Sequence, residues 1–399
     1  MSSVRTRVLR GAMAWILMLA VVGLVVHPEN CGQPTTAEVN EAAGEAVSWF
    51  GANIAGDGTF VYRYDRAVGE TLGGYNDVRH AGVLLSLYQA ESAGIEGAAA
   101  IADRGLAYVD EHLQPTPIGI AFGRGSIARS GSVGLLAAAL DERRSALDTD
   151  DRDALLLELG RTLTAVVEPD GSVGASIDTK TGSTSGRSPF FTGEVLWALA
   201  RLHLTFPDRD FDETALRVYR YLIEDRDRVE SPWPPVSDHW GAYALETMSR
   251  WPNADNLRLG PDLELDGTAT SDWLRRQLNL FGLQVRYESQ RHGGLTRFTR
   301  GTVALPAGVG TLGEGIGNHL QFLNRFPEVA ADIDIDALND RARCVAHLLV
   351  QRQTSASQAR EHRAPLRSQG AWFREDVTQM DDQQHALSAL LLLKDWMPK

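Results

Sequence analysis

Two kinds of apolar pattern alternate along the chain, and each predicts a different kind of helix. In the segment 35–53, Val39, Ala46 and Phe50 recur at helical spacing, so apolar side chains cover one face. In the segment 382–394, small and branched apolar residues cover most faces. A helix that is apolar on most faces must be surrounded by protein. We therefore predict that helices of the second kind lie at the centre and that helices of the first kind surround them.

The two kinds of helix follow one another in six units, each with an outer helix, a long loop rich in Gly, Ser or aromatic residues, and an inner helix. The outer helices are predicted at 35–53, 95–113, 149–167, 211–225, 269–288 and 335–351. The inner helices are predicted to begin near residues 77, 131, 194, 239, 315 and 382. A short strand is predicted within 57–64, and a long Gly-rich loop at 292–311.

Six helical hairpins close most economically into a ring, because a closed ring buries every inner face and leaves no uncapped end. The predicted fold is therefore all-α, a toroid of six helical hairpins with short β-hairpin loops at one rim. An irregular all-α bundle is the alternative. In the ring, the six long loops emerge at the same end, so residues that are distant in sequence converge there.

The first 34 residues have a different character from the rest. Arg5, Arg7 and Arg10 precede an uncharged apolar run at 11–26. Positive residues before a hydrophobic segment hold that end in the cytoplasm, so the chain beyond the segment is exported. We expect residues 1–34 to form a cytoplasmic tip, a signal anchor or signal peptide, and a linker, and residues 35–399 to form the toroid domain. The domain would face outside the cell membrane, or be secreted if the leader is cleaved; a buried N-terminal core helix is the alternative.

Composition narrows the possible partners. The 399 residues carry a net charge of −13, which gives no support for nucleic acid as a partner, because phosphate binding requires clustered Lys and Arg. The same charge does not favour an anionic polysaccharide, although a local basic patch could override the mean. Cys31 and Cys344 are far apart in sequence, so we expect no disulfide framework.

Polar residues cluster where the loops run into the inner helices. They are Asn76, Asp77, Arg79, His80, Ser130, Ser132, Glu194, Asp238, His239, Glu314, Asn318, His319, Asp381, Asp382 and His385. Aromatic residues flank them: Phe60, Tyr62, Tyr64, Tyr75, Phe190, Phe191, Trp233, Trp240, Trp372 and Phe373. Flat aromatic faces with interleaved carboxylates suit sugar rings, which offer apolar C–H faces and hydroxyl edges.

Carboxylates on opposite rim loops can reach the separations that acid–base work on a glycosidic bond requires. An apolar neighbourhood raises the pKa of one of them, as a general acid needs. Glu194 and Asp382 are the first catalytic candidates, followed by Asp77 and Asp238. The predicted substrate-binding residues are Arg79, His80, Tyr62, Tyr75, Trp233, His239, Asn318, Trp372 and His385.

Structural roles are the alternative for several of these residues. Asp77 and Asp381 can cap helices, since Asp is favoured at a helix start. Arg79 can form an internal ion pair with Glu194 or Asp382 and so hold two hairpins together. The aromatic loops can pack against each other rather than against a ligand.

Other kinds of chemistry find little support. Asp238-His239 and Asp381-Asp382-x-x-His385 resemble metal-ligand spacing, but neither forms a recognised site, so no metal is expected. No Gly-x-Ser-x-Gly, catalytic cysteine motif or phosphate-binding Gly-x-x-x-x-Gly-Lys-Ser/Thr is present, and no cofactor is expected.

Several short motifs resemble those of the (α/α)6-toroid group, which comprises six-hairpin glycosidases and their epimerase and lyase relatives. The motifs are Asp57-Gly58-x-Phe60, Tyr75-Asn76-x-Val78-Arg79-His80-Ala81-Gly82, Phe191-x-Gly193-Glu194-x-Leu196-x-Ala198-Leu199 and Asp382-x-x-His385-Ala386, within residues 36–397. The resemblance implies a carbohydrate or glycan in a central cleft. It also implies an acidic pair in a hydrolase, or His, Tyr and Arg groups in an epimerase or lyase.

The favoured hypothesis is an exported carbohydrate-active enzyme, foremost a glycoside hydrolase acting on a saccharide or cell-envelope glycan, with the apolar leader as its membrane contact. Alternatives are a glycan epimerase or lyase, a terpenoid-cyclase-like toroid, and a non-catalytic, membrane-tethered glycan-binding or scaffold protein. A cyclase motif would read Asp-x-Asp-Asp, whereas this chain has Gln379-Met380-Asp381-Asp382.

Overall fold

The structure is a computed structural model that describes residues 2–25, 29, 31–231, 233–252, 267–292, 296–327, 329 and 333–398. Its helices are α1 (Ser2–Val25), α2 (Thr36–Ala52), α3 (Asp77–Ser92), α4 (Ala98–His112), α5 (Ser130–Leu147), α6 (Asp153–Ala165), α7 (Phe191–Thr205), α8 (Phe211–Glu224), α9 (Arg226–Val229), α10 (His239–Met248), α11 (Gly267–Ser289), α12 (Thr296–Arg300), α13 (Pro306–Arg325), α14 (Ile335–Arg352), α15 (Ala356–Ala359) and α16 (Met380–Leu393). Its strands are β1 (Arg63–Asp65), β2 (Glu70–Leu72), β3 (Leu113–Thr116), β4 (Gly119–Phe122), β5 (Ile127–Arg129), β6 (Ser176–Asp178), β7 (Thr184–Ser185) and β8 (Val377–Gln379).

Six inner helices form a closed ring. In order around the ring they are α3, α5, α7, α10, α13 and α16; each packs on the next, and α16 packs on α3. The outer helices α2, α4, α6, α8, α11 and α14 cover the ring, each contacting one or more inner helices. Leu84, Leu136 and Leu199 illustrate the inner faces, since all are 0% exposed. The predicted all-α toroid is therefore confirmed.

All eight strands that the structure describes lie in connections that lead from an outer to an inner helix. They therefore gather at one rim, the end of the ring at which the inner helices begin. Strand β1 pairs antiparallel with both β2 and β8, with Tyr64 opposite Thr378, so the first hairpin is joined to the last. The start of the first outer helix also meets the C-terminal segment, since the Thr36 amide donates to the Pro398 carbonyl at 3.0 Å.

Side chains at the helix starts satisfy the free backbone amides of the first turn. Asn76, rather than Asp77, caps α3 by accepting from the Arg79 amide at 3.2 Å. Helix α16 begins with a capping box in which Asp382 accepts from the Gln379 amide at 3.0 Å. Neither Asp77 nor Asp381 is thus the capping residue that the sequence suggested as an alternative.

The fifth inner helix begins earlier than predicted. The sequence indicates a loop at 292–311, of which 293–295 lie outside the described residues, whereas α13 already begins at Pro306. Glycine lowers helix propensity, which explains the prediction. A Cβ at Gly310 would overlap the His385 backbone, and one at Gly315 would overlap the Phe281 ring. These glycines therefore allow close helix packing, and that packing outweighs the local preference.

The leader forms a separate helix. The segment Arg5–Gly23 of α1 is long and apolar enough to cross a membrane, and none of it is buried against the rest of the chain. The alternative of a buried N-terminal core helix is therefore wrong. Residues 26–28 and 30 of the predicted leader and linker lie outside the described residues.

Cys31 and Cys344 form a disulfide bond, so the expectation of no disulfide was wrong. The bond spans 313 residues of sequence and joins the segment after the leader to α14. Distance along the chain was misleading because ring closure brings the start of the domain against the last hairpin.

We predict that Gly315→Ala destabilises the protein by about 2 kcal/mol, because its Cβ would overlap the Phe281 ring in a packed interior. Gly308→Ala is the matched control in the same helix, since its Cβ would find only the Ala304 Cβ, at 3.8 Å. It should leave stability unchanged or raise it by about 0.5 kcal/mol. Urea unfolding of both variants checks this, and equal effects would contradict the packing argument.

Candidate active site

A pocket of about 460 Å³ opens at the centre of the rim, and all six inner helices contribute side chains to it. Its lining residues are Asn76, Val78, Arg79, Leu135, Phe190, Phe191, Glu194, His239, Trp240, Ala307, Gly308, Thr311, Asp381, Gln384 and His385. A volume of a few hundred cubic ångströms is typical of small-molecule sites. The pocket combines aromatic rings with titratable groups, as the sequence suggested for this end of the ring.

A buried glutamate joins two histidines of the pocket wall. Glu314, on α13, is 0% exposed. His385 Nδ1 donates to Glu314 Oε2 at 2.6 Å, and His239 Nε2 lies 3.9 Å from the same oxygen, beyond hydrogen-bonding distance. Glu314 Oε1 accepts from the Tyr243 hydroxyl at 3.2 Å. The carboxylate is thus held between three inner helices, α10, α13 and α16.

The two histidines have opposite proton affinities. Burial lowers the pKa of His239 well below its ordinary value, and the positive charge of His385 lowers it further. Burial also opposes protonation of His385, but the charge and hydrogen bond of Glu314 outweigh it, so the pKa of His385 is raised. The ring centroids are only 5.1 Å apart. One pocket therefore holds a histidine whose burial favours the neutral form and whose Nε2 has no described partner, beside a histidine whose contact with Glu314 favours the protonated form.

Glu194 faces the same pocket from the first turn of α7. Burial raises the pKa of its carboxyl group to about 8, and the negative charge of Asp238 adds to the shift. Glu194 Oε2 has no hydrogen-bond partner among the described residues. A Cβ at Gly131 would overlap this oxygen, so the glycine leaves room for the side chain. Glu194 is thus a neutral acid at neutral pH, able to donate a proton or hydrogen bond to a ligand.

Arg79 and Asp381 form the polar edge of the pocket. Arg79 Nη2 lies 3.1 Å from Asp381 Oδ2, and Arg79 Nη1 donates to the Tyr62 hydroxyl at 3.0 Å and to Gln379 Oε1 at 3.1 Å. The predicted internal partner of Arg79 was Glu194 or Asp382, but its ion-pair partner is Asp381. The pair joins the first and last inner helices and leaves Asp381 Oδ1 without a described partner.

Within the described part of the chain, one group of side chains has the geometry of a metal site. The ligand atoms of His239, Glu314 and His385 lie within 4.8 Å of one another. Two imidazole nitrogens and a carboxylate are a donor set that zinc accepts.

Two of the predicted catalytic carboxylates are held by structural bonds. Asp238 caps α10, accepting from the Gly241 amide at 2.9 Å, and its other oxygen lies 2.6 Å from Arg226 Nη1 in a pair with both side chains 0% exposed. Asp382 accepts from the amides of Ala307 and Gln379 at 2.9 and 3.0 Å. Neither lines the central pocket.

Asp77 and His80 also contact protein groups rather than the central pocket. Asp77 Oδ1 accepts from the Tyr108 hydroxyl at 2.7 Å and lies 3.3 Å from Arg124 Nε. His80 is 0% exposed, and its two nitrogens bond the Tyr75 hydroxyl at 2.7 Å and the Gly105 carbonyl at 3.1 Å. Burial lowers the pKa of His80 to about 4, so it is a neutral core residue.

The remaining predicted binding residues are dispersed. Tyr62 and Tyr75 line a neighbouring rim cavity of about 510 Å³. Trp233 is 85% exposed, and Trp372 is 1% exposed and donates to the Leu349 carbonyl. Asn318 lies one turn beyond Glu314 and lines a cavity at the opposite end of the ring. Of the predicted binding set, Arg79, His239 and His385 line the central pocket.

Glu314 is a polar residue of the site that the sequence did not single out as catalytic or substrate-binding. It belonged to the wider candidate set, but its glycine-rich segment was predicted to lie at a loop boundary. One feature of the sequence could have identified it: Glu314 is a single charged residue among glycine and apolar positions, which indicates a buried charge that needs a partner.

Solved structures share this architecture at low sequence identity. A D-mannose isomerase superimposes with a TM-score of 0.60 and 12% identity, covering 90% of this chain and 97% of that chain. A family 76 glycoside hydrolase, an α-mannanase from Bacteroides thetaiotaomicron, superimposes with a TM-score of 0.58 and 9% identity. The match covers 90% of this chain and 96% of that chain. A cellobiose 2-epimerase from Spirochaeta thermophila superimposes with a TM-score of 0.56 and 14% identity. The match covers 87% of this chain and 92% of that chain.

The chain has the (α/α)6-toroid fold. No protein-family description matches the sequence, and no curated protein matches it. At 9–14% identity the structural likeness concerns the toroid itself. The function of this chain therefore depends on the residues of its own pocket.

We predict that Glu194 contributes stability to the folded protein that is lost as the pH rises from about 5 to about 8. The folded-state pKa of Glu194 is about 8 against an ordinary value of 4.5, so unfolding releases a proton throughout this window. One pKa unit corresponds to about 1.4 kcal/mol, which sets the upper limit of the slope per pH unit.

Glu194→Gln should remove this contribution, so that the free energy of unfolding of the variant, relative to the unaltered protein, rises with pH across this window. Glu111→Gln, at an exposed site, should show no such relative change. Urea unfolding at pH 5, 6, 7 and 8 provides the measurement. Equal slopes for Glu194→Gln and the unaltered protein would show that Glu194 is ionised in the fold.

Proposed function

We propose that the protein is a carbohydrate-active enzyme that moves a proton at a sugar carbon next to a carbonyl group, as in epimerisation or aldose–ketose isomerisation. The observation that carries this proposal is the contact between two histidines of one pocket whose surroundings shift their pKa values in opposite directions. Groups whose environments push their pKa values apart identify a base and an acid. His239 is the base, and His385, held protonated by Glu314, is the acid.

Each pocket residue has its own part in this reaction. His239 Nε2 takes the proton from the carbon, and its freedom from other hydrogen bonds leaves it available. His385 supplies a proton to the intermediate, either on the opposite face of the carbon or at the carbonyl oxygen. The protonated Glu194 and the Arg79 guanidinium orient hydroxyl groups, while Trp240 and Phe191 line the pocket with apolar faces. Positioned acid–base groups contribute about 10²- to 10⁴-fold in rate.

Glycoside hydrolysis is the second candidate, and Glu194 is the observation in its favour. A neutral carboxyl group in an apolar setting is the form that a general acid on a glycosidic oxygen requires. Asp381 is the carboxylate in the same pocket that would serve as its partner, in place of Asp382 or Asp238. We place the proton-transfer function first because Asp381 is already paired with Arg79, whereas His239 Nε2 has no hydrogen-bond partner among the described residues.

An extracytoplasmic location is part of the proposal. The leader helix with its arginine flank suits a signal anchor or signal peptide. The Cys31–Cys344 disulfide supports the same location, because disulfides persist in oxidising compartments. We propose residues 1–34 as leader and linker and residues 35–399 as the toroid domain, acting on a saccharide or cell-envelope glycan at or beyond the membrane.

We predict that the protein incorporates solvent deuterium into a sugar at the carbon next to its carbonyl group. The assay monitors D-mannose, cellobiose and mannobiose in D₂O by NMR. His239→Asn and His385→Asn should each lower the exchange rate at least about 100-fold. His203→Asn, at the other end of α7, is the matched control and should retain it.

New reducing ends without deuterium at carbon, abolished by Glu194→Gln, would replace the proposal with hydrolysis. Dialysis against EDTA should leave exchange unchanged. Loss on EDTA treatment with recovery on added zinc would instead assign the His239–Glu314–His385 group to a metal.

The exchange rate should fall on both sides of a pH optimum. It falls at low pH when His239 is protonated, and at high pH when His385 loses its proton. Glu314→Gln removes the charge that raises the pKa of His385, so the alkaline limb should move to lower pH by about one unit or more. A pH profile of the variant checks this, and an unmoved alkaline limb would exclude His385 as the acid.

A further inference from the structure

Another pocket at the rim, distinct from the two already described, is rich in arginine, although the chain as a whole carries a net charge of −13. Its volume is about 610 Å³. Its charged and titratable lining residues are Arg66, Arg297, Arg352, Arg374, His362, Glu361 and Glu375. The mean charge of the chain does not favour an anionic glycan, and a local group of arginines is the kind of basic patch that can override it. We call it the basic pocket.

Two of its arginines are fixed by neighbouring acids. Arg66 Nε lies 3.1 Å from Asp376 Oδ1, and its guanidinium lies 4.4 Å from the centre of the Phe373 ring. Arg352 Nη1 lies 2.5 Å from Glu288 Oε1. These contacts neutralise much of the charge, but they hold the remaining N–H groups in place as preorganised donors.

The other two arginines form no ion pair with a described acid, and Glu361 and Glu375 are the acids that line the pocket with them. Arg297 lies on α12, and Arg374 lies just before β8, so they reach the pocket from different elements. Both are exposed, and neither side chain makes a hydrogen bond or ion pair with a residue that the structure describes. Two guanidinium groups lining one cavity favour an anion between them, because charge-assisted bonds to carboxylate or phosphate are the strong ones.

The basic pocket and the central pocket are connected by two segments of the chain. Residues 301–303 line the basic pocket, and Ala307 and Gly308, a few residues further on, line the central pocket. Likewise, residues 373–375 line the basic pocket, and Asp381 lines the central one. A chain of linked sugar residues lying along these segments would reach both.

We propose that the basic pocket binds the anionic group of an acidic glycan, either a uronic acid carboxylate or a phosphate ester. The part of this proposal that places a neighbouring sugar in the central pocket rests on the proposed function; anion binding itself does not. A neutral sugar fits less well, because Arg66 already covers one face of Phe373, the ring on which it would stack.

The test compares two trisaccharides that differ only in charge, β-1,4-linked triglucuronic acid and cellotriose, by isothermal titration calorimetry. The full chain should bind triglucuronic acid more tightly than cellotriose, and the difference should shrink as salt is raised. Arg297→Gln combined with Arg374→Gln should weaken triglucuronic acid binding about ten-fold or more and leave cellotriose binding unchanged. Both residues are exposed, so the variant is expected to fold.

Two single variants complete the comparison. Arg209→Gln removes an exposed arginine between α7 and α8, at the opposite end of the ring, and should have no effect. Glu361→Gln removes a negative charge from the basic pocket and should tighten triglucuronic acid binding. A second calorimetric comparison uses glucose 6-phosphate and glucose. Binding of glucose 6-phosphate that depends on the two arginines would identify a phosphate ester as the group that the pocket binds.

Equal binding of the charged and neutral sugars in both comparisons, or anion binding that survives the double variant, would overturn the proposal. The two proposals fail separately. Arginine-dependent binding without deuterium exchange would refute the proposed reaction and keep the basic pocket. Deuterium exchange on neutral sugars without arginine-dependent anion binding would refute the basic-pocket proposal and keep the proposed reaction.

Discussion

The close packing of α13 against α16 is the contact on which the centre of the ring depends. A side chain larger than hydrogen at Gly310 would meet the His385 backbone, so only glycine allows this approach. The approach places Glu314 at 2.6 Å from His385 Nδ1. A fully buried carboxylate needs charged or hydrogen-bonding partners, because its desolvation is otherwise costly. His385 and Tyr243 provide them, and the glutamate in turn raises the pKa of the histidine against the opposing effect of its burial.

The acidic residues of the rim divide into two groups by the partners that satisfy them. Asp238, Asp382 and Asp77 accept bonds from backbone amides, arginines or a tyrosine, and these bonds fix helix starts and neighbouring hairpins. Glu194 has an oxygen without a described partner, and burial keeps its carboxyl group neutral. A carboxylate whose lone pairs are already used holds the scaffold together, whereas one left unsatisfied beside a pocket is available to a ligand.

Ring closure gives all the rim features a common location. The inner helices begin at one end, and the strands, the central pocket and the basic pocket all lie there. The same closure brings Cys31 to Cys344 and β1 to β8. Ring closure thus brings residues hundreds of positions apart to one rim, where titratable groups line one pocket and arginines line another.

The sequence by itself determined the six-unit periodicity, the outer helices, the end of the ring that carries the polar loops, and the separate apolar helix at the N-terminus. These features depend on the local spacing of apolar residues, which the chain records directly. Tertiary structure decided which polar groups meet: Arg79 pairs with Asp381, His80 is enclosed by aromatic rings, and Glu314 lies between His385 and Tyr243. It also decided that α13 begins at Pro306 and that the cysteines pair. The physical reason is that glycine and an isolated charge look like loop signals locally, and only contact with another helix gives them their role.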